Sequence, residues 1–267
     1  VIEEVFDVAY KWLGRIPGGL AVATVVASTV LAAMVGVIGA AVVTMALVAL
    51  PSMLRRGYSP VLAVGTVMAG GTLGILIPPS VLAIVYGLVA NQSVGELYLG
   101  SVFPGLVLSG LYILFSVGYA LLNPKAAPRL SPEETPTWSE RWRALRSIWS
   151  PLVLIFLVLG TIFLGLAAPT EAAAIGAFGA MVVAAIHRRL SWTILRLALE
   201  QTAKATAMVM WIVFGANAFV GFYIAQGGDR YVSELLLGTG LSPWGILLLM
   251  QGILIVLGMF LDWVGIL

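Results

Sequence analysis

Long apolar runs, separated by short polar or basic segments, make up most of the chain. No charged residue occurs in residues 20–54 or in residues 61–90. A helix needs about 20 predominantly apolar residues to span a bilayer, and these runs are continuous, whereas barrel strands alternate. The pattern therefore predicts an all-α integral membrane protein, built as a polytopic helical bundle.

The N-terminal part is predicted to contain an amphipathic helix followed by a hairpin. In residues 1–16, apolar side chains recur on one face. Residues 17–57 contain an uncharged run far longer than one span at about 1.5 Å per residue. Because Arg15 and Arg55 flank this run, and basic residues mark the cytoplasmic side, we predict a re-entrant hairpin with a glycine-containing tip. The alternative is one tilted span followed by a surface helix.

Residues 58–122 are predicted to form a broken, discontinuous helix and then a return helix. The apolar run contains the pair Gly70 and Gly71 and the pair Pro78 and Pro79. Glycine permits unusual backbone angles, and proline removes an N–H donor and disfavours helix at the preceding residue. The two pairs predict that the helix unwinds between them. A packing kink is the alternative, because both residue types are common in membrane helices.

The rest of the chain divides by the same pattern. Residues 123–149 form a polar, basic loop, for which we predict a cytoplasmic location and a short interfacial helix. Residues 150–204 are predicted to be scaffold-type helices, with Thr170 as the N-cap of one of them. Residues 205–267 are predicted to begin a C-terminal transport half that the chain does not complete, and residues 227–242 within it read as a polar connection.

Composition and charge narrow the function. The 267 residues are 61% hydrophobic and 10% charged, which excludes a soluble domain. The chain has no cysteine and one histidine, His187, which adjoins two arginines at the edge of an apolar run. Metalloprotease, nucleophile-elbow and P-loop motifs are absent from the sequence, so an enzyme is not predicted. The net charge of +2 is small, and no nucleic-acid partner is predicted.

The hairpin tip and the broken helix form the candidate site. Unwound backbone carbonyls in a discontinuous helix offer oxygen ligands to a hard cation such as Na⁺, and a half-helix N-terminus offers N–H groups to an anionic substrate. Asn217 and an acid near the end of the chain are polar groups within apolar segments, and Asn217 either bonds another helix or faces a cavity. The candidate Na⁺ residues are Gly36, Gly39, Gly70, Gly71, Thr72, Gly74 and Pro78. The candidate substrate residues are Pro79, Ser80, Asn217 and Asp262.

Five segments carry a family resemblance. They are RIPGGLAVATVVAS, LPSMLRRGYSPVLA, GGTLGILIPPSVLAIVYGLVANQSVGELYLGSVFPGL, AAPTEAAAIGAFGA and LGMFLDW. The chain resembles, over essentially its whole length, the large DctM-like membrane subunit of TRAP (tripartite ATP-independent periplasmic) transporters. Both ends of the subunit are expected to lie outside this sequence.

The resemblance implies an inverted-repeat, elevator-type transporter, ion-transporter-like in fold, in a bacterial or archaeal cytoplasmic (inner) membrane. It implies Na⁺-coupled uptake of a small organic acid that a periplasmic solute-binding protein delivers, with a small TRAP membrane subunit as partner. The tip near residues 36–40 would face residues 70–80 and build one Na⁺ site. The tip lacks the hydroxyl groups common in the family, so either backbone carbonyls are its ligands or this site is altered. A proton-coupled carrier or channel subunit is the alternative.

Overall fold

The computed structural model describes residues 2–128, 137–261 and 266, and within them the chain is helical without strands. Contacts divide it into two compact units, Val1–His187 and Arg188–Leu267. The helices of the first unit are α1 (Ile2–Leu13), α2 (Gly19–Val35), α3 (Ile38–Arg55), α4 (Pro60–Leu76), α5 (Val81–Ala90), α6 (Val94–Leu122), α7 (Trp138–Ser147), α8 (Trp149–Phe163) and α9 (Pro169–Ile186). Those of the second are α10 (Trp192–Ala225), α11 (Gly228–Gly238) and α12 (Pro243–Gly258).

Several helices are long and apolar enough to cross a membrane. In the described part of the chain α3, α6, α9 and α10 qualify alone, and the bent pairs α4–α5 and α7–α8 raise the number from four to six if each pair is one span. The predicted fold class, an all-α polytopic membrane bundle, is confirmed.

Helices α2 and α3 form an antiparallel hairpin. Thr24, early in α2, donates a hydrogen bond from Oγ1 to Sδ of Met53, late in α3, over 3.5 Å. Two collinear helices would hold these residues far apart, because each residue advances a helix by about 1.5 Å. A single straight crossing by residues 20–54 is therefore excluded. At the tip, Gly36 ends α2 with a left-handed φ of 65°.

Basic residues gather at the end of the bundle where this hairpin begins and ends. The Leu20 N–H donates to the Tyr58 hydroxyl (3.2 Å), which joins the start of α2 to the turn after α3. The Ser59 N–H donates to the Ala126 carbonyl (2.9 Å), which brings the segment after α6 to the same place. The chain thus returns to its starting end, as the charge pattern predicts. The basic residues on these segments are Arg15, Arg55, Arg56 and Lys125.

The expected unwinding at Gly70 and Gly71 is wrong. Helix α4 continues through both residues and through Gly74, and the break covers only residues 77–80, where the Pro78–Pro79 peptide bond is cis and α4 meets α5 at an angle of 40°. The glycines serve helix packing instead. A Cβ at Gly70 would overlap the Ser28 side chain of α2, and one at Gly71 would overlap Val42 of α3. Small residues let membrane helices approach closely while their backbone bonds stay intact.

Two further expectations are corrected. Thr170 is not an N-cap, because α9 begins one residue earlier, at Pro169, which is favoured in the first helical position since it needs no N–H partner. The Glu171 carboxylate instead accepts a hydrogen bond from the Ala168 N–H (2.8 Å). In the second unit, the predicted polar connection, residues 227–242, is largely helix α11. Its apolar residues at helical spacing outweigh the turn signal of its glycines.

Helix α7 packs against α1 through tryptophans. The ring of Trp12 meets those of Trp138 and Trp142 edge to face, at centroid distances of 5.8 and 5.9 Å. The helix begins with a reciprocal cap, in which the Glu140 carboxylate accepts from the Thr137 N–H (2.7 Å) and the Thr137 hydroxyl accepts from the Glu140 N–H. These bonds to Thr137 lower the pKa of Glu140.

Replacement of Gly71 by alanine is expected to destabilise the bundle by about 1–3 kcal/mol, because the new methyl group overpacks the α3–α4 contact. The matched control is Gly65→Ala in the same helix, where a Cβ meets open space. There, the higher helix propensity of alanine should leave stability unchanged or raise it by up to about 1 kcal/mol. Thermal unfolding of the purified protein in detergent, followed by tryptophan fluorescence, measures both, and equal effects would contradict the packing role.

The lowered pKa of Glu140 predicts that α7 loosens in acid. A carboxyl group with a depressed folded-state pKa contributes stability above its ordinary value of 4.5, and the contribution is lost as the pH falls through the folded-state pKa. Tryptophan fluorescence of the α1–α7 cluster should therefore change below about pH 4.5. The Glu140→Gln variant should show a smaller change, and an identical titration of both proteins would argue against this cap.

Candidate functional site

The hairpin tip contacts the break between α4 and α5 directly. The Val81 N–H, the first of α5, donates to the Gly36 carbonyl over 3.3 Å. A Cβ at Gly36 would lie 2.7 Å from the Pro79 carbonyl oxygen. The left-handed φ of Gly36 also disfavours any side chain there. Two features therefore require glycine at position 36: the left-handed backbone angle and the close approach of the Pro79 carbonyl.

Hydrogen bonds from α6 and from Ser80 hold the break in place. The Tyr98 side chain, 1% exposed, donates its hydroxyl to the Ser80 carbonyl (3.3 Å). The Ser80 hydroxyl donates to the Ile75 carbonyl (2.5 Å). In a continuous helix that carbonyl would accept from the N–H of residue 79, which Pro79 lacks. On the α6 side, Gly105 leaves room for Ile77, because a Cβ there would lie 2.8 Å from the Ile77 side chain.

The break frees main-chain oxygens next to the tip. Pro78 has no N–H, so the Gly74 carbonyl loses its usual helical donor. In a continuous helix the Val81 N–H would donate to the Ile77 carbonyl, but here it donates to the Gly36 carbonyl. Within the described ranges, no hydrogen bond reaches the carbonyls of Gly74 and Ile77. Such oxygens suit a hard cation, because buried polar groups need a partner.

Four helix ends meet at this contact. The C-terminal ends of α2 and α4 bring the negative ends of two helix dipoles together. The N-terminal ends of α3 and α5 bring N–H groups, and neither N-cap residue, Val37 or Ser80, bonds the first turn with its side chain. The arrangement therefore places acceptors for a cation beside donors for an anion.

An apolar cavity of about 280 Å³ adjoins the break. Its lining includes Met34 of α2, Pro79 of the break and Tyr98 of α6, and the helix pair α8–α9 contributes Val158 and Ala173. The cavity lies between part of the hairpin and broken helix and the α8–α9 pair, all within the first unit.

The structure brings only part of the predicted site together. Gly39 is exposed, with open space where a Cβ would be. Thr72 donates its hydroxyl to the Ala69 carbonyl (2.7 Å) and lies 3.2 Å from the Tyr112 hydroxyl of α6, away from the tip. The residues that do meet at the tip and break are Gly36, Gly74, Pro78, Pro79 and Ser80.

The two remaining substrate candidates, Asn217 and Asp262, stay predictions. Asn217 belongs to the second unit and is exposed, and its amide donates to the Val213 carbonyl of its own helix (2.9 Å). Asp262 lies outside the described residues. Over the described chain, no group of three or more histidine, cysteine, aspartate or glutamate side chains is arranged to hold a metal ion.

Sequence reasoning missed two residues, one that holds the break and one in the contact between α2 and α4. Tyr98 holds the break, and the Ser28 hydroxyl, fully buried against Gly70, has no hydrogen-bond partner in the part of the chain that the structure describes. A tyrosine within an apolar span is a usable signal, because its buried hydroxyl needs an acceptor. Ser28 gave no such signal, since serine is common at helix contacts in membranes.

A helical hairpin tip set against a break in a neighbouring helix is the arrangement of secondary transporters with discontinuous helices. The family model for "Tripartite ATP-independent periplasmic transporter, DctM component" matches residues 1–267. The chain belongs to this family.

Three individual relatives are consistent with this family assignment. The chain is 34% identical, over 98% of its length, to the C4-dicarboxylate TRAP transporter large permease protein DctM of Pseudomonas aeruginosa. It is 28% identical over 97% to the ectoine TRAP transporter large permease protein TeaC of Halomonas elongata, and 29% over 97% to the isethionate TRAP transporter permease protein DctMQ of Oleidesulfovibrio alaskensis. It spans 60% of the length of the first two and 40% of the third. These relatives are permease proteins and not enzymes, which confirms the prediction on that point.

The contact between tip and break is tested by a pair of glycine variants in the hairpin. Gly36→Ala is expected to lower stability by about 1–3 kcal/mol, because alanine at a left-handed φ is strained and its methyl group collides with the Pro79 carbonyl. Gly39→Ala is the matched control. Thermal unfolding measures stability, and hydrogen–deuterium exchange of residues 77–84 should rise only in the Gly36 variant. Unchanged exchange there would mean that the tip does not hold the break.

Proposed function

We propose that the chain forms the ion- and substrate-binding part of a Na⁺-coupled secondary transporter that imports a small organic acid. The observation that carries the proposal is the meeting of the α2–α3 tip with the α4–α5 break, where free carbonyls and uncapped helix N-termini lie side by side. Family membership supports it, because the relatives are transporter permeases.

Na⁺ fits the donor set of this contact. The carbonyl oxygens of Gly74 and Ile77 lack hydrogen bonds in the described chain, and the dipole ends of α2 and α4 add negative potential. Oxygen ligands without a buried acid suit a monovalent hard cation. Na⁺ bound there would compensate carbonyls that lipid leaves unpaired. Gly36, Gly74 and Pro78 are the residues that shape this cradle, whereas Gly70 and Gly71 act through packing.

The organic acid is assigned to the N-terminal side of the same contact. Helix α5 begins after Pro79 and Ser80. The Ser80 hydroxyl is engaged with Ile75, and the Val81 N–H with Gly36, which leaves the next N–H groups of the first turn of α5 to an external acceptor. A carboxylate is favoured at such a helix start. The names of the relatives, with C4-dicarboxylate and isethionate among their substrates, support a small anion.

The hairpin is proposed to re-enter the bilayer instead of crossing it. Its tip is level with the break, and α5 extends a further 10 residues, or about 15 Å, beyond that level. A hairpin that ends part-way along a neighbouring span stops within the membrane. The apolar cavity between this group and α8–α9 supports an elevator-type movement of one against the other.

The assembly follows from the family. We propose a bacterial or archaeal inner-membrane location, a periplasmic solute-binding protein that delivers the acid, and a small TRAP membrane subunit as permanent partner. The DctMQ name of one relative supports the association of large and small subunits.

Uptake of a radiolabelled C4-dicarboxylate by the complete transporter in proteoliposomes tests the proposal. Uptake should require an inward Na⁺ gradient. Uptake that persists when K⁺ replaces Na⁺ would reject Na⁺ coupling, uptake driven by a proton gradient would favour a proton-coupled carrier, and single-channel currents would favour a channel.

A proline pair localises the ion site. Pro78→Ala restores an N–H that can occupy the Gly74 carbonyl, so the half-saturating Na⁺ concentration is expected to rise about tenfold, as for the loss of one bond to a charged group. Pro104→Ala, at an exposed position inside α6, should leave it unchanged. Thermal unfolding of both variants separates a weakened ion site from a misfolded protein.

A further inference from the structure

A basic and aromatic pocket lies at the start of α8, away from the tip and break. An open cavity of about 510 Å³ is lined by Trp142, Leu145 and Arg146 of α7 and by Trp149 of α8. Trp142 is 60% exposed and Trp149 is 70% exposed. We call these four residues the α7–α8 pocket. Contacts of α7 with Trp12 place the pocket at the basic end of the bundle, where the apolar helices end.

Basic residues outnumber acids on the helix that supplies most of the pocket. Helix α7 carries Arg141, Arg143 and Arg146 and a single acid, Glu140. The Glu140 carboxylate is occupied by the backbone and side chain of Thr137. In the described part of the chain, no acid forms an ion pair with the three arginines.

Two buried donors beside the pocket also lack acceptors. Arg141 stacks over the Trp138 ring at 5.4 Å, and Trp12 meets the same ring edge to face. Neither Arg141 Nε nor Trp12 Nε1, both buried, has a hydrogen-bond partner among the described residues. Since an unpaired buried donor is costly, an oxygen-rich anion close to α1 and α7 would stabilise this region.

An apolar stripe leads away from the pocket along α8. Trp149, Val153 and Phe156 recur at intervals of four and three residues, which places them on one helix face, and all three are exposed. A free phosphate ion or an acidic peptide would leave this stripe uncovered. A phospholipid covers both parts, because its headgroup is anionic and its acyl chains are apolar.

We propose that the α7–α8 pocket binds the headgroup of an anionic phospholipid whose acyl chains lie along the Trp149–Val153–Phe156 stripe. Arg143 and Arg146 neutralise the phosphate. The tryptophan rings lie at the depth of the lipid glycerol group, at the membrane–water interface, where such rings are favoured. Lipid bound there fixes α7 against the bundle and sets the depth of α8. The proposal requires membrane insertion but not Na⁺ coupling, so it stands or falls independently of the transport reaction.

Native mass spectrometry of the intact membrane subunit, purified in mild detergent and offered equimolar phosphatidylglycerol and phosphatidylcholine with identical chains, tests the site. The parent protein should retain phosphatidylglycerol preferentially. Each arginine replaced, Arg143→Gln and Arg146→Gln, should reduce that retention about fivefold. Arg146→Lys keeps the charge and should keep most of the binding. Arg196→Gln, which removes an exposed arginine paired with Glu200 on α10, is the matched control and should have no effect.

Three results would overturn the proposal. They are equal retention of the two lipids by the parent, equal losses in the Arg146→Gln and Arg196→Gln variants, and displacement of the phosphatidylglycerol by excess inorganic phosphate or by the small membrane subunit. Because Arg143 and Arg146 are exposed, their replacement should leave thermal unfolding in lipid-free detergent unchanged. A lower unfolding temperature under those conditions would assign the arginines to the fold instead of the lipid.

Discussion

The structure depends on how main-chain polar groups are paired in a solvent that offers no hydrogen bonds. Two interruptions of helix, at Gly36 and at residues 77–80, expose such groups. The fold brings the two interruptions together, and hydrogen-bond donors of one then meet acceptors of the other. The Val81 N–H donates to the Gly36 carbonyl, and the Tyr98 hydroxyl donates to the Ser80 carbonyl. The meeting of tip and break therefore leaves carbonyls of the broken helix without a hydrogen-bond partner among the described residues.

Close packing makes that meeting possible. The hairpin arms pack on α4 at Gly70 and Gly71. Ser28 and Val42 approach these glycines so closely that a Cβ atom would not fit. Helices α2, α3 and α4 share one hydrophobic core, which runs from the basic end through Met45 and Met53, and so pack as one group. Helices α8 and α9 pack mainly on each other across a small-residue contact at Gly176 and Gly179, with an apolar cavity on the side of the break. The first unit therefore contains a firmly joined layer and a more loosely joined one.

Much of this was predictable from sequence, and the failures have physical causes. Charge position predicted that residues 20–54 return to their starting end, and the prolines predicted the break. Gly70 and Gly71 misled because glycine both frees the backbone and removes a Cβ, and only the neighbours decide which property is used. Thr72 has a hydroxyl at the expected place but points to Tyr112, which lies 40 residues away in sequence. Such long-range contacts are invisible to local patterns, as is the role of Tyr98.

One consequence follows from how few main-chain links join tip and break. Across the described residues, the Val81–Gly36 bond is the single backbone hydrogen bond between them. A bond of this kind contributes only about 1 kcal/mol net, whereas the hairpin arms are anchored along their length. The loop at residues 36–37 can consequently fray without the arms leaving α4. The weakest point of the contact between tip and break thus lies beside main-chain carbonyls that lack a hydrogen bond among the described residues.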